Sequence, residues 1–159
     1  MAVLARAVTY ASLFIGFLLV FVPARILAAA GIGSAPHVGP LQVLGLLVTA
    51  AGALLALWCV AAFVVVGKGT PAPFDPPRRL VVRGPYIFVR NPMYIGAGLA
   101  LLGAALYHGS SGLAVYAVLF LAVMHVFVLL YEEPTLRRAF GTEYEVYCSR
   151  VARWWPRWR

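Results

Sequence analysis

The sequence predicts an all-α integral membrane protein with about four transmembrane helices, a helical hairpin in its C-terminal half and an interfacial amphipathic C-terminal helix. Three observations point there. Hydrophobic residues make up 63% of the 159 and charged ones 11%, far below the charged share of a soluble domain. The apolar residues gather into runs near membrane-crossing length, at 8–30, 41–66, 92–107 and 113–131. Apart from Arg6 and Arg25, the charges fall between and after those runs. Five of the thirteen Lys and Arg lie from Lys68 to Arg90 and six from Arg137 to Arg159. In water such a chain would expose apolar surface that it has no polar residues to cover. One domain, 1–159, accommodates this length.

The net charge of +8 invites a nucleic-acid reading, but its confinement to loops and tail fits cytoplasmic retention and anionic headgroups instead. No nucleic-acid partner is expected. Cys59 in an apolar run and Cys148 in the tail make no disulfide framework. His37, His108 and His125 are scattered without ligand spacing, so no metal is expected.

Taken in order, the first run, 8–30, is long enough to cross, with Pro23 thinning its last turns and Arg25 able to snorkel. It is read as a retained helix rather than a cleaved signal, since no cleavage site in a polar setting follows. Gly31 to Pro40 reads as a short uncharged loop. The second run, 41–66, carries no charge, and Gly45, Gly52 and Ala56 would let another helix approach closely. Gly67 to Leu80 holds four prolines and is neither helix interior nor central strand. GKGT there lacks nucleotide-loop spacing, and Asp75 is expected to cap or to pair with Arg78 or Arg79.

The next stretch, Arg83 to Gly96, reads RGPYIFVRNPMYIG. Pro92 suits a first helical turn, with Asn91 as its N-cap. The run it opens is marginal for crossing, so it either begins inside the membrane, where protein satisfies its backbone, or tilts. HGSSG, His108 to Gly112, then joins it to the run ending at Tyr131. A hairpin must return Glu132 and Glu133 to the end that holds Arg90, Asn91 and Tyr94. In the tail, 135–159, Leu136, Phe140, Tyr144, Tyr147 and Val151 draw one apolar stripe on a helix. Trp154, Trp155 and Trp158 among arginines suit the bilayer interface. Four spans place the basic segments and both termini on the cytoplasmic side of an inner or plasma membrane.

Charge at the end of a membrane helix is expensive, so the glutamates are either paired, as a lock on the hairpin, or functional. Beside arginine, tyrosine and a helix N-terminus they could hold a zwitterion, the cations taking its carboxylate and a glutamate its ammonium or sulfonium. S-adenosylmethionine carries those charges. Adjacent helical residues point about 100° apart, from the 3.6-residue turn, so one glutamate is expected to face the cleft, and the sequence leaves open which.

These blocks resemble the membrane methyltransferases that include isoprenylcysteine carboxyl methyltransferases and phospholipid N-methyltransferases. The blocks are Gly84-Pro85-Tyr86, Arg90-Asn91-Pro92-x-Tyr94-x-Gly96, Glu132-Glu133 with Leu136, Phe140-Gly141-x-x-Tyr144-x-x-Tyr147, and Arg153 with Pro156. The resemblance implies an S-adenosylmethionine-dependent enzyme whose cofactor lies at the cytoplasmic face while a lipophilic acceptor, a prenylated carboxylate or a lipid amine, approaches from the membrane. By position it implies cofactor contacts from Arg90, Asn91, Tyr94, Glu132 and Glu133, with Tyr86, Tyr144 and Tyr147 as walls and Arg90 and Glu133 as the catalytic pair. The family commonly has histidine where this chain has Asn91, which cannot titrate. That departure bears on the acceptor more than on the cofactor. Two other readings remain at this stage: a scaffold that keeps the fold without turnover, and a nicotinamide-dependent membrane reductase, whose larger helix set is absent.

Overall fold

The computed structural model describes residue 9 and residues 15–33, 37–67 and 79–156, and all elements among them are helical. A π-helical stretch, Ile15–Phe21, runs into α1, Val22–Ala29; α2 covers Pro40–Ala62 and continues through a π turn, Phe63–Gly67. A 3-10 turn, Gly84–Ile87, precedes α3, Pro92–His108. Then α4, Ser111–Phe127, passes through a second π turn, Val128–Glu132, into α5, Glu133–Phe140, and α6 is Thr142–Arg150.

Two continuous helices, Pro40–Gly67 of 28 residues and Ser111–Phe140 of 30, are long and apolar enough to cross a bilayer. Of the 18-residue apolar window in each, only 22% is buried within the protein, unlike the core helix of a soluble fold. Leu47, Leu54 and Leu57 on α2 and Val115, Leu119 and Val123 on α4 face outward and require an apolar solvent, so the chain is a membrane protein. The other two expected spans are shorter. At 17 residues, α3 rises about 26 Å against a hydrocarbon core of about 30 Å. The apolar helix Gly16–Ala29 is shorter still, and most of the expected span before residue 15 lies outside the described residues.

Close approach of α2 and α3 organises the bundle. Gly45 and Gly52 on α2 meet Gly103 and Gly96 on α3, each pair spaced by seven, the repeat that keeps a left-handed crossing in register. A methyl group at Gly52 would stand 2.5 Å from the Gly96 carbonyl oxygen, and one at Gly96 would stand 2.7 Å from that of Gly52. Only hydrogen allows these backbones to touch, as the small residues of the second run predict. The Thr49 hydroxyl donates to the Ala100 carbonyl at 3.4 Å across the same contact.

The α3–α4 hairpin is tighter than HGSSG suggests, because His108 still belongs to α3 and Ser111 already to α4. Gly109 adopts φ +61° to end α3, and the Ser110 hydroxyl caps α4 by accepting from the Leu113 N–H at 3.2 Å. Ala97, Leu101, Ala117 and Phe120 pack the hairpin interior. The π-helical stretch before α1 is tied to α4 by the Tyr116 hydroxyl, which donates to the Leu18 carbonyl at 2.9 Å.

Two expectations are corrected. The tail is not one helix, since Gly141 at φ +50° and ψ −125° separates α5 from α6. The apolar stripe nonetheless stays together: Tyr144, Tyr147 and Val151 form a core with Leu136, Phe140 and Leu80. Asn91 precedes α3 as expected, but its side chain makes no cap bond there; its amide donates to the Arg153 carbonyl at 3.2 Å. The expected roles of Asp75, Arg78 and Trp158 fall outside the described residues.

Candidate functional site

Three segments meet where α3 begins and α4 ends: the approach to α3 from Gly84 to Asn91, the junction of the π turn with α5, and residues 151–156. The last of these forms a strap. Val89 and Ala152 make a parallel bridge, and the Arg90 N–H donates to the Ala152 carbonyl at 2.9 Å. Trp154 Nε1 donates to His125 Nδ1 on α4 at 2.9 Å, so the strap joins both helices of the hairpin. Tyr147 on α6 fixes the 3-10 turn, its hydroxyl donating to the Tyr86 carbonyl at 2.7 Å. Burial pushes the Tyr147 hydroxyl well above its ordinary range, which keeps it a neutral donor.

Glu133 is buried, and both of its oxygens are engaged. Arg153 forks onto it, Nε to Oε1 at 2.6 Å and Nη2 to Oε2 at 2.9 Å, while Arg90 Nη1 lies 3.3 Å from Oε1. The bidentate bond pushes the Arg153 guanidinium further up, against a smaller opposing effect of burial. Arg90 Nη1 also donates to Cys148 Sγ at 2.6 Å. Its Nε is buried without a hydrogen-bond partner among the described residues. Glu132 stands apart from this cluster and accepts from the Tyr94 hydroxyl, at 2.9 Å to Oε2.

Tyr86, Arg90, Asn91, Glu132, Glu133 and Tyr144 all line one cavity of about 30 Å³. Tyr147, the third expected wall residue, lines it too, whereas Tyr94 stands behind it on Glu132. Both glutamates face the cavity, not one. Their 100° divergence is used because the cavity sits between two walls: Glu132 turns toward α3 and Glu133 toward Arg90 and the strap. Phe63, Leu80 and Leu136 supply the apolar side.

The donor set fits the charged end of S-adenosylmethionine. Arg90 Nε is an unsatisfied donor, and the Glu132 carboxylate is an acceptor with one tyrosine bond. Glu133 is already neutralised by two guanidinium groups. The volume holds a water or two, whereas pockets for ligands of this size run about 300–1,000 Å³. A ligand of that size would enter only if the walls parted. Arg153 and Cys148 belong to this cluster but were not among the predicted site residues. Arg153 was visible as a motif residue, yet nothing in its spacing ties it to Glu133.

A family model described as phospholipid methyltransferase matches residues 41–143, from the start of α2 to the first turn of α6. No curated protein and no solved structure matches the chain.

Proposed function

We infer function from one premise: the chain belongs to the phospholipid methyltransferase family, and is accordingly a membrane methyltransferase acting on a lipid acceptor. We propose that it uses S-adenosylmethionine, which when bound supplies a sulfonium-activated methyl group. The observation that supports this is that Arg90, whose Nε–H is buried and unpartnered among the described residues, and Glu132 line one cavity.

Glu132 receives the ammonium of the donor, and Tyr94 fixes the rotamer of that carboxylate. Arg90 receives the donor carboxylate. Arg153 and Glu133 hold Arg90 in place, so Glu133 acts here as a positioning group, because both of its oxygens are occupied by guanidinium. Asn91, bonded to the strap, closes the wall. Transfer forms a bond from an acceptor oxygen, sulfur or nitrogen to the methyl carbon and breaks the carbon–sulfur bond. The chain contributes alignment in a partly dry site. An amine acceptor gives its proton to water, and a carboxylate acceptor has none to lose. The basic segments flanking the apolar helices support a cytoplasmic position for the site.

The test is donor binding by the purified protein, followed by incubation of methyl-labelled S-adenosylmethionine with membrane lipid and a prenylated cysteine analogue. Arg90→Ala and Glu132→Gln should each weaken donor binding about tenfold or more, the loss of one charge-assisted hydrogen bond of about 1.5–3 kcal/mol. Full binding by both variants would sink the assignment. Binding without labelling of either acceptor class would identify a chain that keeps the fold without turnover.

A further inference from the structure

His125 lies midway along the 30-residue helix Ser111–Phe140, flanked by Val123 and Val126, both exposed. A histidine in an apolar span is costly unless it is paired or functional. Its partner is Trp154: the indole Nε1–H donates to Nδ1 at 2.9 Å, and the ring centroids stand 5.7 Å apart. His125 does not line the donor cavity, and the reaction proposed above gives it no part.

The strap supplies a reason for the pair. Residues 152–156 lie outside the helices, so contacts with other segments must fix their path. Three of those contacts go to residues that line the cavity: the Arg90 N–H to the Ala152 carbonyl, the Asn91 amide to the Arg153 carbonyl, and the Arg153 fork to Glu133. A fourth is Trp154 on His125. Adjacent residues thus reach two anchors, Arg153 the start of α5 and Trp154 the middle of α4. The fork holds a long side chain of many rotamers in one geometry. A neighbour already fixed to a membrane helix removes part of that freedom before the fork closes.

We propose that His125 is a positioning residue of the donor site: through Trp154 it sets the strap so that Arg153 holds Glu133, and Glu133 holds Arg90. The assignment rests on the S-adenosylmethionine reading of the cavity and adds to it a residue that touches neither donor nor acceptor. His125 stands about 10 Å along the helix from Glu132, at a rise of about 1.5 Å per residue. Titration of the purified full chain with S-adenosylmethionine, beside thermal unfolding in detergent, tests the assignment. His125→Phe keeps an aromatic ring suited to the span but removes the acceptor, and Trp154→Phe removes the N–H from the other side. Each should weaken donor binding about three- to tenfold, the loss of one neutral hydrogen bond, while the unfolding temperature stays near wild type. The double variant should bind no more weakly than either single variant, since both delete the same bond. His125→Asn, whose carboxamide oxygen stands as many bonds from Cα as Nδ1 does, should recover most of the lost binding.

Wild-type donor binding by His125→Phe or Trp154→Phe overturns the proposal, as do additive losses in the double variant or a His125→Asn as weak as His125→Phe. A binding loss matched by a fall in unfolding temperature also overturns it, by showing that the bond only holds the bundle together. Should His125→Phe fail to fold, Trp154→Phe, changed outside the span, decides by the same criteria. A wild-type protein that binds no S-adenosylmethionine sinks the donor reading and this assignment with it. A wild type that binds, beside variants that bind equally well, sinks this assignment alone.

Discussion

Glu132 and Glu133 are neighbours in sequence with opposite surroundings, and that difference predicts different variants. Glu133 neutralises Arg153 and Arg90 in a buried cluster. Glu133→Ala strands two guanidinium groups and is expected to cost about 3–5 kcal/mol, the range for breaking a buried pair from one side. Its unfolding temperature in detergent should fall together with donor binding. Glu132→Gln keeps an acceptor for the Tyr94 hydroxyl, so its unfolding temperature should stay near wild type while donor binding weakens. Equal destabilisation by the two variants would contradict the division of roles. At this scale the sequence revealed the glutamates and Arg90, because charge beside a membrane helix is rare and needs a reason. It did not reveal Arg153 as the partner of Glu133, since the strap that carries it has no period from which a direction could be read.

Among the elements, the α2–α3 contact depends on hydrogen at two pairs of positions. Gly52→Ala places a methyl 2.5 Å from backbone atoms of α3, which cannot turn aside as a side chain could. The helices must separate, at about 1–3 kcal/mol for overpacking. Because α3 begins directly after Arg90 and Asn91, the displacement should also weaken donor binding, whereas Ala53→Leu on the exposed face should change neither. Thermal unfolding and donor titration of the two variants check this. The small residues of the second run made a close helix contact legible in the sequence, though not its partner, and the four-four-three-four stripe did the same for the core of the tail. The break between α5 and α6 was not legible: the stripe continues across it, and a glycine inside a helical pattern does not announce that its φ is positive. The short turn at Gly109 and Ser110 was concealed in the same way, since His108 and Ser111 suit a loop and a helix end equally.

For the whole molecule, the site depends on residues outside the segment that identifies the family. The match ends at residue 143, yet Glu133 takes its bidentate partner from Arg153, Asn91 bonds to the Arg153 carbonyl, and Arg90 bonds to Ala152. The membrane helices need none of these contacts, because their packing is α2 on α3 and α3 on α4. A chain ended after Arg150 should therefore insert with nearly unchanged helical content by circular dichroism, yet lose donor binding. Shortening the strap in two steps separates its parts. Removal of residues 154–159 deletes Trp154 and its bond to His125 but keeps the Arg153 fork, so binding should fall only partly. The double change Arg153→Met, Glu133→Met still leaves the Arg90 guanidinium buried without its carboxylate, so it should recover only part of the thermal stability lost in Glu133→Ala. It should not restore donor binding, because Arg90 then has no carboxylate to hold it. Recovery of binding in that double variant would show that the fork is structural and that Arg90 is oriented by Cys148 and the Ala152 carbonyl alone.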